Sequence, residues 1–259
     1  MTLESMQRPQ FEIAGVFSAT FGAIGRNIVP FGALALLFVT IPQALIALVG
    51  VEDGALTGSL GPVDGGLFKI VSGVATAILG WILQAAVIHG TVDDLNGRKA
   101  SLGASLTTAF RSLGPVFLIS ILMVIGLAIG FVLLVVPGFI LMVMWCVTIP
   151  AQVVERRGVF GSFDRSRDLT RGSRWSIFGL FVLYVVLAWL AGIVLMAVGA
   201  AVSGGFAGAA TIPVLQVVIT PLLSGVSSLI GAVGAAAIYY ELRVAREGIG
   251  PAALAAVFD

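Results

Sequence analysis

Charged side chains are scarce in this sequence, and their scarcity excludes an ordinary soluble domain. Of the 259 residues, 10% are charged and 59% are hydrophobic, whereas a typical soluble domain carries about 25% charged residues. A soluble core of this size could not bury so much apolar surface, and apolar runs of 18 or more residues are typical of transmembrane helices. The sequence therefore predicts an all-α, polytopic membrane protein with about six spans: Ile28–Val49, Leu67–His89, Pro115–Val135, Gly138–Val154, Ser176–Val202 and Pro213–Tyr240.

Residues that support catalysis or metal binding are also few. The sequence has one cysteine, Cys146, and one histidine, His89, so it offers neither an internal disulfide nor a cluster of zinc ligands. It contains no GxSxG, Walker, HExxH or paired-cysteine motif. No ionisable residue lies near the middle of a predicted span, where proton-coupled transporters usually place one. We therefore expect no enzyme activity, no cofactor and no metal centre.

The basic residues lie almost entirely on one side of the predicted spans. If the chain crosses six times, the termini and the loops after spans two and four share one side of the membrane. On the other side, Lys69 is the only basic residue. By the positive-inside rule, the arginine-rich side and both termini are expected in the cytoplasm. A net charge of +1 argues against nucleic acid as a partner. The basic residues of the predicted cytoplasmic side are Arg8, Arg26, Arg98, Lys99, Arg111, Arg156, Arg157, Arg165, Arg167, Arg171, Arg174, Arg243 and Arg246.

Three short segments share a pattern, and each precedes a pair of predicted spans. Apolar residues at helical spacing predict an amphipathic helix in the membrane interface for each segment. We interpret the chain as a single integral membrane domain of three repeat units, 13–90, 101–154 and 159–247, each an interfacial helix followed by a transmembrane hairpin. A polar N-terminal tail, 1–12, and a short C-terminal tail, 248–259, flank the units. The residues that define the three apolar faces are Ile13, Val16, Phe17, Phe21 and Ile24; Leu102, Leu106, Ala109, Phe110 and Leu113; and Val159, Phe160, Phe163 and Thr170.

Two sets of residues are candidates for function. Arginines near the interfacial helices are placed to contact lipid phosphates; these are Arg165, Arg171 and Arg174, with Arg26 and Arg111 as counterparts in the other units. Acids that follow spans four and six, close to arginines, are candidates for ion pairs between repeat units; this set is Glu155, Glu241, Arg157 and Arg243. A functional polar site is the alternative for the two acids. The sequence also leaves open whether spans three and four, joined at Pro137-Gly138, form a full hairpin or a re-entrant pair.

The segment PGFILMVMWCVTIPAQVVERRGVFGSFDRSRDLTRGSRWSIFGL carries a family resemblance. Through Pro137-Gly138, Glu155, the run from Arg165 to Gly172, and Trp175, it resembles the bacterial membrane domain of glycerophosphoryl diester phosphodiesterases and YciC-like membrane proteins. The ending YYELRVAREG is similar to the last helix of that family, and Arg167 departs from its pattern. The resemblance implies a six-helix protein of the bacterial inner membrane with a link to lipid metabolism. The soluble barrel that hydrolyses phosphodiesters in fused relatives has no counterpart in this sequence.

Two functions are compatible with these features. The first is a non-enzymatic inner-membrane protein that binds or organises phospholipid and serves as a scaffold for a membrane or cytoplasmic partner in lipid metabolism or the envelope. The alternative is a transporter or channel for a small neutral or lipid-like solute, suggested by the repeat and by prolines within spans. A continuous polar cavity would favour transport, whereas a closed apolar bundle would favour the scaffold.

Overall fold

Every regular element in the described part of the chain is helical. The computed structural model describes residues 11–56, 62–203 and 214–248. Its helices are α1 (Ile13–Arg26), α2 (Ile28–Ala35), α3 (Ile41–Leu56), α4 (Pro62–Leu95), α5 (Leu102–Leu133), α6 (Val135–Trp145), α7 (Thr148–Glu155), α8 (Gly158–Thr170), α9 (Arg174–Ser203) and α10 (Thr220–Glu247). Two π-helical turns, Leu36–Thr40 and Leu215–Ile219, precede α3 and α10.

Six helical stretches of the described residues are long and apolar enough to cross a membrane. They are Ile28–Leu48, Gly66–Leu95, Leu102–Leu133, Val135–Glu155, Arg174–Ala201 and Leu215–Glu247. Each overlaps one of the spans that the sequence predicts. The all-α prediction is therefore confirmed for the described residues, and the architecture is consistent with a multi-pass membrane protein.

The three segments with predicted interfacial helices differ in the structure. Helix α1 and helix α8 are separate helices that cover the first and third segments. The second segment has no break before its span, because α5 runs through Pro115 to Leu133. A proline inside a helix removes one backbone hydrogen bond, which membrane helices tolerate when neighbouring groups compensate.

One proline of the first span and one of the last span closely follow the π-helical turns. Pro42 and Pro221 each lie two residues after the end of a π turn. A proline ring clashes with the carbonyl four residues earlier, and the wider turn accommodates the ring with i to i−5 bonds. Accordingly, the Ile41 and Thr220 amides donate to the carbonyls of Leu36 and Leu215.

Glycines bring α5 and α6 into close antiparallel contact after a single extended residue, Leu134. A Cβ added at Gly126 would lie 2.5 Å from the Trp145 ring, and one at Gly130 would lie 3.1 Å from the Cα of Gly138. Larger residues at these positions would force the two helices apart. Small residues of this kind allow close helix packing where no hydrophobic effect drives association.

The chain forms two compact units. Unit 1 contains Met1–Asn27, Ala85–Phe181 and Gly231–Asp259, and unit 2 contains Ile28–Gln84 and Val182–Ile230. All arginines of the described residues belong to unit 1. Within unit 1, Val16 of α1 packs in a core with Leu180 and Ala237, so α1 is anchored to α9 and α10. The three repeat units stay a prediction.

Candidate functional site

The connection between α7 and α8 places an acid and an arginine within reach of each other. Helix α7 ends at Glu155, and Arg156 follows in the left-handed conformation, with φ 52° and ψ 40°. Gly158, with φ 77°, lets the chain start α8 at once, because glycine adopts positive φ without steric cost. After this short connection, Arg165 on α8 meets Glu155 at the end of α7.

Small polar residues fasten α8 to α6 and α7. Ser162 donates to Oε1 of the buried Gln152 at 2.9 Å, and Ser166 donates to the carbonyl oxygen of Met144 at 2.8 Å. Both serines are fully buried, whereas Phe160 on the predicted apolar face is 76% exposed. The packed face of α8 therefore combines the two serines with the buried Leu169 and with Phe163, which meets Trp145, whereas Phe160 is exposed.

Glu155 is the centre of the first ion-pair network. Its Oε1 accepts hydrogen bonds from Arg165 Nε at 2.8 Å and from the Tyr239 hydroxyl at 2.7 Å. Its Oε2 lies 2.5 Å from Arg157 Nε. The Glu155 side chain is only 13% exposed. Charge-assisted bonds of this kind are about twice as strong as neutral ones, so the network joins the end of α7 to α8 and α10.

Arg165 connects Glu155 to a second acid, Glu247. Its Nη2 donates to Glu247 Oε1, and Arg243 Nε donates to Glu247 Oε2 at 2.9 Å. The Arg243 guanidinium also lies 5.8 Å from the centre of the Tyr239 ring, within the range of a cation–π contact. Burial acts to lower the pKa of Arg165, but the bonds to Glu247 and Glu155 outweigh burial and raise that pKa above its ordinary value.

A separate pair connects the end of α1 to the end of α4. Arg26 donates from Nε and Nη2 to the Asp94 carboxylate, with the shorter contact at 2.6 Å. Asn27 Nδ2 donates to the other oxygen of the same carboxylate at 2.8 Å. The hydrogen bonds to Asp94 raise the pKa of Arg26, although 58% of the arginine side chain is exposed.

Glu241, the predicted counterpart of Glu155, has a different environment. Its carboxylate lies against Gly15 of α1, 3.3 Å from where a Cβ on that glycine would be. Among the described residues it forms no ion pair. Arg243 bonds to Glu247 on its own helix rather than to Glu241. The structure thus brings together Glu155, Arg157, Arg165 and Arg243, and leaves Glu241 apart from them.

The five arginines that were expected to contact lipid have three kinds of environment. Arg26 and Arg165 are held by carboxylates. Arg111 and Arg171 are exposed and form no ion pair with any described residue. Arg174 is half-buried, and its Nε has no hydrogen-bond partner in the described part of the chain.

Sequence reasoning did not assign roles to Tyr239, Glu247 and Asp94. One local signal existed for Glu247, which follows Arg243 by four residues on a helix, a spacing that favours an ion pair. The Tyr239 hydroxyl bonds to a residue 84 positions away along the chain. No local pattern predicts such a contact.

Within the described ranges, no group of three or more His, Cys, Asp or Glu side chains is placed to hold a metal ion. No protein-family model matches this chain, and no curated protein or solved structure matches it. The resemblance to the phosphodiesterase membrane domain and YciC-like proteins therefore stays a prediction.

Proposed function

We propose that this protein is a non-enzymatic, multi-pass inner-membrane protein whose arginine-rich unit 1 binds anionic phospholipid from the cytoplasmic side. In this role it organises lipid and serves as a scaffold for a membrane or cytoplasmic partner of lipid metabolism. The observation that carries the proposal is the pair of exposed arginines, Arg111 and Arg171, that have no carboxylate partner among the described residues. They occur in a chain with six helices apolar enough to span a membrane.

Exposed arginines next to apolar helices fit this role for two reasons. A basic residue near an anionic membrane surface contributes about 1 kcal/mol of binding free energy. The exposed aromatic residues Phe21, Phe110 and Phe160 suit immersion in the same interface, as expected if each of the three units begins with an amphipathic interfacial helix. Arg26 and Arg165 contribute to lipid binding only indirectly. They pair with carboxylates and so hold together helices of unit 1.

Selective lipid binding by the wild-type protein tests the proposal. The full chain is purified in mild detergent and titrated with phosphatidylglycerol or with phosphatidylcholine, and bound lipid is counted by native mass spectrometry. We expect phosphatidylglycerol to bind at least tenfold more tightly, and this preference to weaken as salt increases, because exposed charges are screened. Equal binding of the two lipids at low salt would rule the proposal out.

One observation in unit 2 favours transport as a second candidate. The π-helical turns Leu36–Thr40 and Leu215–Ile219 occur in the first and last spans, and the second contacts α3. π-Helical turns inside α-helices are frequent at functional sites. If the protein is a transporter, proteoliposomes that contain it will release trapped glycerol faster than protein-free liposomes, and the release will fall when Pro42 and Pro221 are replaced by alanine.

A further inference from the structure

The turn between α8 and α9 gathers three arginines from two distant parts of the chain. Arg171 and Arg174 flank Gly172, whose φ of 92° makes the turn possible. The guanidinium of Arg246, from the last turn of α10, lies over the same glycine. A Cβ built on Gly172 would be 3.4 Å from Arg246 Nη2. All three arginines belong to unit 1.

None of the three has a carboxylate partner within the described residues. The neighbouring acids Glu155 and Glu247 already form ion pairs with Arg157, Arg165 and Arg243. That network carries three guanidiniums against two carboxylates, so it has no negative charge to spare. Asp164 and Asp168 of α8 are exposed and form no ion pair with any described residue.

Arg174 adds a second, independent observation. Its Nε is buried, yet it bonds to no described residue. A buried group of a charged side chain is costly unless a partner satisfies it. Phosphate is a suitable partner, since the planar guanidinium fork matches phosphate oxygens better than any other side chain.

The next residue, Trp175, supports a lipid as the source of the phosphate. Its side chain is 86% exposed and meets the edge of the Phe178 ring with 6.2 Å between ring centres. Phe178 in turn packs on Phe139 of α6. Exposed tryptophans at the ends of apolar helices are typical of the membrane interface, where lipid headgroups lie.

We infer that Arg171, Arg174 and Arg246 form a binding site for the phosphate group of an anionic glycerophospholipid at the α8–α9 turn. The inference rests on the proposed function and specifies the residues that recognise the headgroup. Arg246, which lies on α10, was not among the arginines that the sequence suggested for lipid contact. Arg165, which is only 14% exposed and bonded to two carboxylates, holds α8 and α10 together instead of contacting lipid.

The test compares the full-length R171Q/R174Q/R246Q variant with a charge-matched control, R98Q/K99Q/R167Q, in the phosphatidylglycerol titration. Both variants lose three positive charges from unit 1, but only the first loses the site. We expect the site variant to bind at least tenfold more weakly than wild type and the control to stay within twofold. Equal weakening of both variants, or no weakening of the site variant, would overturn the inference.

The R171K/R174K/R246K variant separates coordination from charge. Lysine keeps the positive charge but loses the bidentate fork, so we expect lipid affinity several-fold below wild type and above the glutamine variant. Affinity equal to wild type would mean that charge alone suffices, and it would contradict a guanidinium site. If the glutamine variant fails to purify as a folded species, this lysine variant and the single variant R246Q provide the test.

A competition experiment identifies the source of the phosphate. Inorganic phosphate is added to the wild-type complex with phosphatidylglycerol, with chloride at matched ionic strength as the reference. Retention of lipid in both solutions supports a lipid site, whereas displacement by phosphate alone would assign the arginines to free phosphate. Failure of wild type to prefer phosphatidylglycerol over phosphatidylcholine would reject the proposed function itself. Selective binding that the site variant retains would reject only this assignment of residues.

Discussion

At the scale of single residues, the surrounding side chains decide whether a glutamate forms ion pairs. Glu155 and Glu241 look equivalent in the sequence, because each follows an apolar span and precedes arginines. In the structure Glu155 accepts bonds from Arg165 and Tyr239 and pairs with Arg157. Glu241 lies against Gly15 without an ion pair among the described residues.

The contrast between the two acids predicts different effects on stability. Glu155→Gln removes the charge that compensates Arg165, and we expect it to lower the free energy of unfolding by about 2 kcal/mol, since breaking a charged hydrogen bond leaves its partner unsatisfied. Glu241→Gln, the matched control, should change it by less than about 0.5 kcal/mol. Thermal unfolding in detergent measures both. Equal losses for the two variants would contradict the role assigned to Glu155.

At the scale of helices, close packing depends on a few glycines rather than on all of them. Gly126, Gly130 and Gly138 lie where α5 and α6 touch. By contrast, a Cβ at Gly192 of α9 would have open space around it, with no neighbour within 4 Å beyond the adjoining backbone of its own helix. In the sequence, all four are glycines in apolar helices. Only the packing distinguishes the three at the α5–α6 contact from Gly192.

A pair of alanine variants tests this packing. Gly126→Ala places a methyl group 2.5 Å from the Trp145 ring, and Trp145 is itself packed edge-on against Phe163. We expect a loss of about 1–3 kcal/mol, typical of overpacking. Gly192→Ala should be neutral or stabilise the protein by up to about 1 kcal/mol, because alanine favours helix more than glycine does. A neutral Gly126→Ala variant in the same thermal assay would show that α5 and α6 are less tightly packed than described.

At the scale of the whole molecule, the two units differ in their content of basic residues. All arginines of the described residues lie in unit 1, whereas Lys69 lies in unit 2. The positive-inside rule relates such an asymmetry to orientation. The arginine-rich segment Glu155–Trp175 is therefore predicted to face the cytoplasm.

Labelling of introduced cysteines tests the predicted orientation. In a Cys146→Ala background, which removes the sole cysteine of the sequence, Asp168→Cys should react with a membrane-impermeant maleimide only after cells are opened. Glu52→Cys follows the first predicted span, Ile28–Val49, on the side expected outside, and it should react in intact cells. Reaction of both positions from the same side would contradict six crossings with cytoplasmic termini.

The sequence alone was sufficient for the helical class and for the approximate positions of the spans. Both follow from apolar run length and composition, which are local properties of the chain. The sequence also located the arginine-rich segment, whereas the ion pairs between repeat units that it suggested for Glu155 and Arg243 stay a prediction. It did not show that α5 continues through the second predicted interfacial segment, because one proline does not by itself end a membrane helix.

Only the tertiary structure decided which arginines pair with carboxylates. Arg165 bonds to Glu247, 82 residues away along the chain, and Arg246 reaches the turn at Gly172 from another helix. Such contacts depend on which distant helix ends meet, and periodicity or charge count carries no information about that. The sequence predicts that arginines gather on one side of the spans, and the tertiary structure decides that some pair with carboxylates while Arg171, Arg174 and Arg246 have no carboxylate partner among the described residues.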